Sequence, residues 1–125
     1  MSTGKNVLEG IDTVIVRVSD VGKSKQWYVD KLGLKVVWDD PGTRLVVLDT
    51  GSPTSLTLWQ TDKKIEVSKD TASYPIFRTT CAEQARKELH ANGVEVGEVI
   101  EDDAVKYFFF YDPDGNILEA CQVHA

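Results

Sequence analysis

The first half of the chain alternates short apolar runs with turn residues and contains one helical segment. Residues 10–18 are rich in β-branched side chains, which predicts a strand. Ser19 and Asp20 supply capping side chains for a helix over Val21–Leu32, and Gly33 ends that helix. Turns that contain proline or small polar residues then separate three further predicted strands, at Leu34–Trp38, Arg44–Leu48 and Ser55–Trp59.

The same order of elements returns in the second half. A polar connector over residues 61–73 leads to a predicted strand at Tyr74–Thr80 and a helix at Ala82–Asn92 that Gly93 ends. Three strands then complete the pattern, at Val94–Ile100, Lys106–Tyr111 and Asn116–Val123.

A shift of about 60 residues aligns the two halves, which indicates an internal duplication. Val16-Arg17 aligns with Phe77-Arg78, and Leu32-Gly33 aligns with Asn92-Gly93. The pattern predicts a single α+β domain over residues 1–125. It consists of two βαβββ modules, at about 8–60 and about 74–123, joined by the connector 61–73.

Composition and charge exclude several classes of partner. The chain has 125 residues, 42% of them hydrophobic, which suits one globular domain with a sizeable core. The net charge of −6 argues against nucleic acid and mildly favours a cationic ligand. No apolar run approaches the roughly 18 residues that span a bilayer, and Met1–Asn6 lacks the pattern of a secretory signal. We therefore expect a cytoplasmic protein with no nucleic-acid or membrane partner, in which Cys81 and Cys121 are reduced.

Two motifs resemble the glyoxalase/bleomycin-resistance/extradiol dioxygenase (vicinal oxygen chelate, VOC) superfamily. The opening motif comprises Val16-Arg17-Val18-Ser19-Asp20, Trp27-Tyr28 and Lys31-Leu32-Gly33-Leu34. The more specific closing motif is Phe109-Phe110-Tyr111-Asp112-Pro113-Asp114-Gly115-Asn116-Ile117-Leu118-Glu119. The likeness covers residues 10–123 and implies two βαβββ modules that curl into a half-open barrel, with the ligand in its concave interior.

The resemblance also implies where a divalent metal would bind, with ligands on the first and last strands of each module. These positions fall on Thr13 and Thr57 in the first module, and on Tyr74 and Glu119 in the second. Only Glu119 offers a common ligand, because such ions need several convergent carboxylates or imidazoles. The two histidines of the chain lie outside these positions. We therefore expect no metal and no other cofactor.

Alternation along the strands predicts which side chains face the interior of the barrel. If Thr13 and Tyr74 face inward, then Arg17 and Arg78 do so as well. The two arginines could bind an anionic ligand group, pair with nearby acids, or extend into solvent. Aromatic side chains could stack on a planar ligand. The remaining predicted ligand-binding residues are Trp38, Thr57, Trp59 and Cys121, beside Glu119.

Two functions follow from these observations. The first is a metal-independent small-molecule binder that resembles the antibiotic-sequestering, bleomycin-resistance branch and, by that resemblance, acts as a homodimer. The alternative is a glyoxalase-like lyase or isomerase, or a dioxygenase, in which Glu119 is a metal ligand or general base. Glu119 could instead hydrogen-bond Tyr74 or Arg78 and hold that side chain in place.

Overall fold

The computed structural model describes residues 7–124. The first module consists of β1 (Thr13–Val18), α1 (Val21–Leu32), β2 (Lys35–Asp40), β3 (Leu45–Asp49) and β4 (Ser55–Gln60). The second consists of β5 (Ile76–Arg78), α2 (Ala82–Ala91), β6 (Glu95–Val96), β7 (Ile100–Glu101), β8 (Val105–Tyr111) and β9 (Ile117–Val123).

Each module forms one sheet with its first strand at an edge. The first sheet has the order β1-β4-β3-β2, and the second has the order β5-β9-β8-β6 with β7 also paired to β8. In both sheets the first strand runs parallel to the last, and the other neighbours are antiparallel. The α+β class and the two repeated modules are therefore confirmed, and the described sheets do not close into a barrel.

The duplication extends to the contacts that begin the helices. In the first module the side-chain oxygen of Gln60 accepts a hydrogen bond from the backbone N–H of Val21 at 3.0 Å. In the second, Gln122 accepts from the N–H of Ala82 at 2.8 Å. Each glutamine therefore ties the last strand of its module to the exposed backbone donors of the first helical turn. Neither helix in residues 7–124 has the length and apolar character needed to cross a membrane.

The predicted strand Val94–Ile100 is wrong as one element, because the structure divides it into β6 and β7. The segment between β6 and β7 contains one residue more than the part of β8 that lies opposite it. This extra residue forms a β-bulge. Gly97 lies at this point and donates its N–H to the carbonyl of Phe109 at 2.7 Å. Its own carbonyl accepts from Nε of Arg86 at 2.6 Å, so a helix side chain satisfies a group that the sheet leaves unpaired.

The predicted strand Tyr74–Thr80 is also shorter in the structure, where only β5 is regular. Pro75 has no N–H to donate to a neighbouring strand. Its carbonyl still accepts from the N–H of Glu119 at 3.2 Å, so this segment remains beside β9 although it is not part of the strand.

The helix-facing sides of the two sheets share a single core. Its fully buried members come from both modules and pack as one continuous cluster with the inner faces of the helices. These members include Val18, Leu48, Leu58, Phe108 and Leu118. The opposite faces of both sheets therefore remain open.

A buried hydrogen bond joins the two modules. The hydroxyl of Tyr28 on α1 donates to Oδ2 of Asp112 at 2.8 Å, and both residues are buried. Asp112 also accepts from the backbone N–H groups of Asp114 and Asn116, each at 2.9 Å. The amide of Asn116 donates to Asp112 and to the carbonyl of Arg17, both at 2.9 Å. The turn of the closing motif is thus the attachment point of the first module.

Tyr28→Phe is expected to lower the free energy of unfolding by about 1–3 kcal/mol, because a buried carboxylate loses one of its donors. Urea denaturation followed by circular dichroism measures this change. Tyr111→Phe is the matched control, since the Tyr111 hydroxyl has no hydrogen-bond partner within residues 7–124, and it is expected to be neutral. Equal losses in both variants would contradict the role assigned to Tyr28.

Candidate functional site

The first open face is the side of the first sheet that points away from α1. Strand register places Ile15, Thr57, Val47 and Trp38 directly opposite one another in a single row across the sheet. Ile15 is 51% exposed and Trp38 is 64% exposed, although both are large apolar side chains. The residues on this face include Thr13, Ile15, Arg17, Trp38, Asp40, Leu45, Val47, Asp49, Ser55, Thr57 and Trp59.

The two threonines at the implied metal positions of this face bond to each other. Their hydroxyl oxygens lie 2.7 Å apart, and Thr13 Oγ1 is also 3.2 Å from the carbonyl of Ser55. Thr57 is buried, in the row that contains Ile15. The two hydroxyl groups therefore hydrogen-bond within the protein, and neither of these two positions offers a charged metal ligand.

Arg17 lies on the ring of Trp59, with its guanidinium carbon 4.5 Å from the ring centroid. Its Nε donates to the carbonyl of Trp59 at 3.1 Å, and Nη2 donates to that of Gln60 at 3.3 Å. No carboxylate within residues 7–124 forms an ion pair with Arg17, so pairing with an acid does not describe it; the residue is exposed, and its guanidinium is held on the ring of Trp59. Because one face of Trp59 is covered, a planar ligand can stack only on the other face, or on Trp38.

The second open face is the corresponding side of the second sheet. Register places Glu119 in one row between Ile76 and Phe109, and Cys121 in the next row between Arg78 and Tyr107. Ile76 is 58% exposed. Tyr74 precedes β5, and its ring lies 5.7 Å from that of Phe109, edge to face. The rings of Tyr107 and Phe109 are 5.8 Å apart in the same manner, so three successive rings form one wall.

The sequence pattern did not identify the residues of β8 on this face, because the aromatic run Tyr107–Tyr111 is typical of a core strand. Only alternate members are core: Phe108 and Phe110 are buried against the helices. Tyr107, Phe109 and Tyr111 lie on the second open face. The antiparallel pairing of β8 with β9 would have identified them, because a residue that lies opposite Glu119 must be on the same face of the sheet as Glu119.

Glu119 is buried, with 7% of its surface exposed, and it accepts no hydrogen bond from any residue in 7–124. The expectation that it holds Tyr74 or Arg78 by a hydrogen bond is therefore wrong. Burial raises the pKa of the Glu119 carboxyl above its ordinary value. Burial also raises the pKa of the Cys121 thiol, with further contributions from Glu119 and Asp102, so Cys121 is not a thiolate nucleophile at neutral pH.

The described residues do not suit a divalent metal. Within residues 7–124 no three His, Cys, Asp or Glu side chains converge on a point. Of the four implied positions, two are hydroxyls that bond to each other, one is a tyrosine outside the strands, and only Glu119 is a carboxylate. His90 is exposed on α2, and His124 lies 3.2 Å from Glu101, away from both open faces. The donor set at the implied positions therefore departs from that of a divalent metal site.

The comparisons with known proteins agree with this fold. The family model described as "Glyoxalase/Bleomycin resistance protein/Dioxygenase superfamily" matches residues 10–120. The chain therefore belongs to this superfamily. A search of curated proteins gave no match.

Solved structures show the same arrangement of both modules. SMU.1112c is 28% identical, with a TM-score of 0.79 over 92% of this chain and 99% of that chain. TnmS3, an antibiotic binding protein from Streptomyces sp. CB03234, is 25% identical, with a TM-score of 0.77 over 96% and 100%. Lactoylglutathione lyase from Agrobacterium tumefaciens is 17% identical, with a TM-score of 0.74 over 92% and 94%, which shows the fold alone.

Glu119→Gln is expected to stabilise the protein at neutral pH by less than about 1 kcal/mol, because it removes a partly desolvated charge that lacks a donor, and solvent at the open face reduces the effect. Since the pKa of Glu119 is raised in the folded state, the folded protein binds this proton more tightly than the unfolded chain does. The stability of the wild type therefore falls as the pH rises from the unfolded pKa to the folded one.

Thermal unfolding of both proteins between about pH 4 and pH 8 measures this difference, which is expected to shrink toward the acidic end. Glu98→Gln is the control, because the side chain of Glu98 is 93% exposed. A Glu119→Gln variant that is less stable at every pH would show that the carboxylate has a donor within the protein.

Proposed function

We propose that this protein binds a small, largely apolar and aromatic molecule without a metal ion and sequesters it rather than converting it. The observation that carries this proposal is the chemistry of the open faces. They present large exposed apolar side chains, among them Ile15, Trp38 and Ile76, around a few polar groups. Ligand sites are typically apolar surfaces with a small number of polar anchors.

The polar groups of the open faces favour binding over metal-assisted chemistry. The hydroxyls of Thr13 and Thr57 satisfy each other, and Cys121 has a raised pKa. The likeness to TnmS3, an antibiotic binding protein, supports the same class of ligand at 25% identity over nearly the whole chain. The raised pKa of Glu119 suits a general base. A metal-free enzyme that uses Glu119 in this role is therefore the second candidate function.

We also propose that the protein acts as a homodimer in the cytoplasm, with the ligand held between the subunits and with no nucleic-acid or membrane partner. β1 and β5 are edge strands, so each has unpaired backbone groups on one side. Ile15 belongs to β1 and Ile76 to β5, and both side chains are more than half exposed. A second copy of the chain would cover both features. Both cysteines are free thiols, which suits a reducing compartment.

Calorimetric titration with a panel of aromatic, cationic antibiotics is expected to give saturable binding that is unchanged by EDTA. Trp38→Ala is expected to weaken that binding about tenfold or more, because it removes an exposed stacking surface. Val37→Ala is the control: Val37 lies at the register shift of the same strand, is 66% exposed and is outside the row of Trp38.

The absence of binding across the panel would contradict the proposal. Turnover of a panel compound that survives EDTA and is lost in Glu119→Gln would establish the second candidate, a metal-free enzyme.

Sedimentation velocity at micromolar concentration is expected to show a dimer. Ile15→Glu is expected to shift the protein to monomer, because it buries an unpaired charge at the interface. Ala91→Glu, at the exposed end of α2, introduces the same charge elsewhere and is expected to leave the dimer intact. A monomeric wild type would contradict the proposed dimer. It would not decide whether the protein binds a ligand, which the calorimetric titration tests separately.

A further inference from the structure

Two buried carboxylates within residues 7–124 have opposite surroundings. As whole residues Asp112 and Glu119 are both buried, 6% and 7% exposed, but the unbonded carboxylate oxygens of Glu119 lie at the surface of the second open face. Asp112 accepts hydrogen bonds from the hydroxyl of Tyr28, from two backbone N–H groups and from the amide of Asn116. Glu119 accepts none from the described residues. No fully buried side-chain oxygen or nitrogen within residues 7–124 lacks a hydrogen-bond partner, so the unbonded carboxylate oxygens of Glu119 reach the surface of the second open face. They are therefore free to accept a hydrogen bond from a bound molecule.

The surroundings of Glu119 indicate what kind of donor fits. Its neighbours in the row are the apolar side chains of Ile76 and Phe109, which offer no hydrogen bond. Beyond them, the rings of Tyr74 and Tyr107 each stand nearly perpendicular to that of Phe109, at 79° and 83°. Aromatic faces attract cations, and a carboxylate in an apolar setting is compensated best by a positive charge.

The protein already places an ammonium group on this aromatic strand. Nζ of Lys69, in the connector, lies 5.4 Å from the ring centroid of Tyr111. Tyr111 is two residues from Phe109 along β8, on the same face. Strand β8 therefore already holds an ammonium group at Tyr111, while the part of the second open face around Phe109 and Glu119 has none from the described residues.

The other charged side chains of this region do not occupy the position. Arg78 lies one row away, beside Cys121, and forms no ion pair with Glu119. On the first open face, Arg17 is engaged with Trp59 and two carbonyls. Arg78 nonetheless adds a like charge near any cation bound to Glu119, so its removal should strengthen the binding of a cation.

We propose that the second open face holds a subsite for an organic ammonium group, such as the protonated amine of an aromatic ligand. Glu119 is the counter-ion, and Phe109, Tyr74 and Tyr107 form the wall. This inference rests on the proposed small-molecule binding and names the chemical group that one part of that site receives.

Protein NMR titration with naphthylethylamine and naphthylethanol tests the subsite, because the probes differ only in the ammonium group. The amine is expected to bind the wild type about tenfold or more tightly than the alcohol, with shifts centred on Glu119 and Phe109. In Glu119→Gln the two probes are expected to bind equally. Glu98→Gln is the control and should keep the preference. Arg78→Gln should increase it.

A second readout separates a counter-ion from a merely structural carboxylate. Carbon NMR of the Glu119 carboxyl across a pH titration is expected to show its pKa falling when the amine is added and staying unchanged with the alcohol. By linkage, a bound cation favours the ionised carboxylate.

Equal affinity for both probes in the wild type overturns the subsite and leaves the proposed binding function standing. If neither probe binds at millimolar concentration, the subsite is also overturned. The proposed binding function is then tested by the antibiotic titration alone. A preference for the amine that persists in Glu119→Gln assigns the cation to another place and overturns the role of Glu119.

Discussion

The hydrogen bond between Tyr28 and Asp112 is the contact on which the arrangement of the two modules depends. It lies in the shared core and connects the first helix to the turn that precedes the last strand. Asn116, in the same turn, reaches the backbone of Arg17 at the end of β1. Since these contacts join the helix-facing sides of the modules, the opposite faces of both sheets stay open. The open faces are the surfaces that a ligand or a second copy can use.

The duplication preserved the scaffold while the two open faces diverged. Gln60 and Gln122 repeat the same contact with the start of a helix, and Ile15 and Ile76 lie opposite equivalent positions on the last strands. Those positions, however, carry Thr57 in one module and Glu119 in the other. The first face therefore has a neutral pair of hydroxyl groups at the position where the second face has the carboxyl group of Glu119. This difference explains why the chain retains the superfamily fold without a set of residues suited to a metal.

Stability and binding place different demands on the buried carboxylates. Asp112 is fully hydrogen-bonded and holds the modules together, whereas Glu119 has no donor and its charge is partly desolvated, which lowers stability slightly at neutral pH. Functional sites commonly carry such a cost, since a group already satisfied within the protein has nothing to offer a ligand. Arg17 shows the opposite case, because its guanidinium is already engaged with Trp59.

The sequence by itself determined the order of the elements, the two modules, the helix Val21–Leu32 and the alternation that puts Thr13 and Arg17 on one face of β1. These features follow from local preferences and from side-chain periodicity, which neighbouring residues encode. Only the tertiary structure decided that Tyr28 meets Asp112, that Phe109 lies beside Glu119 and that Glu119 has no donor. These depend on which strands and helices pack together across 84 residues of chain or across a strand register, and packing of that kind is set by the whole core.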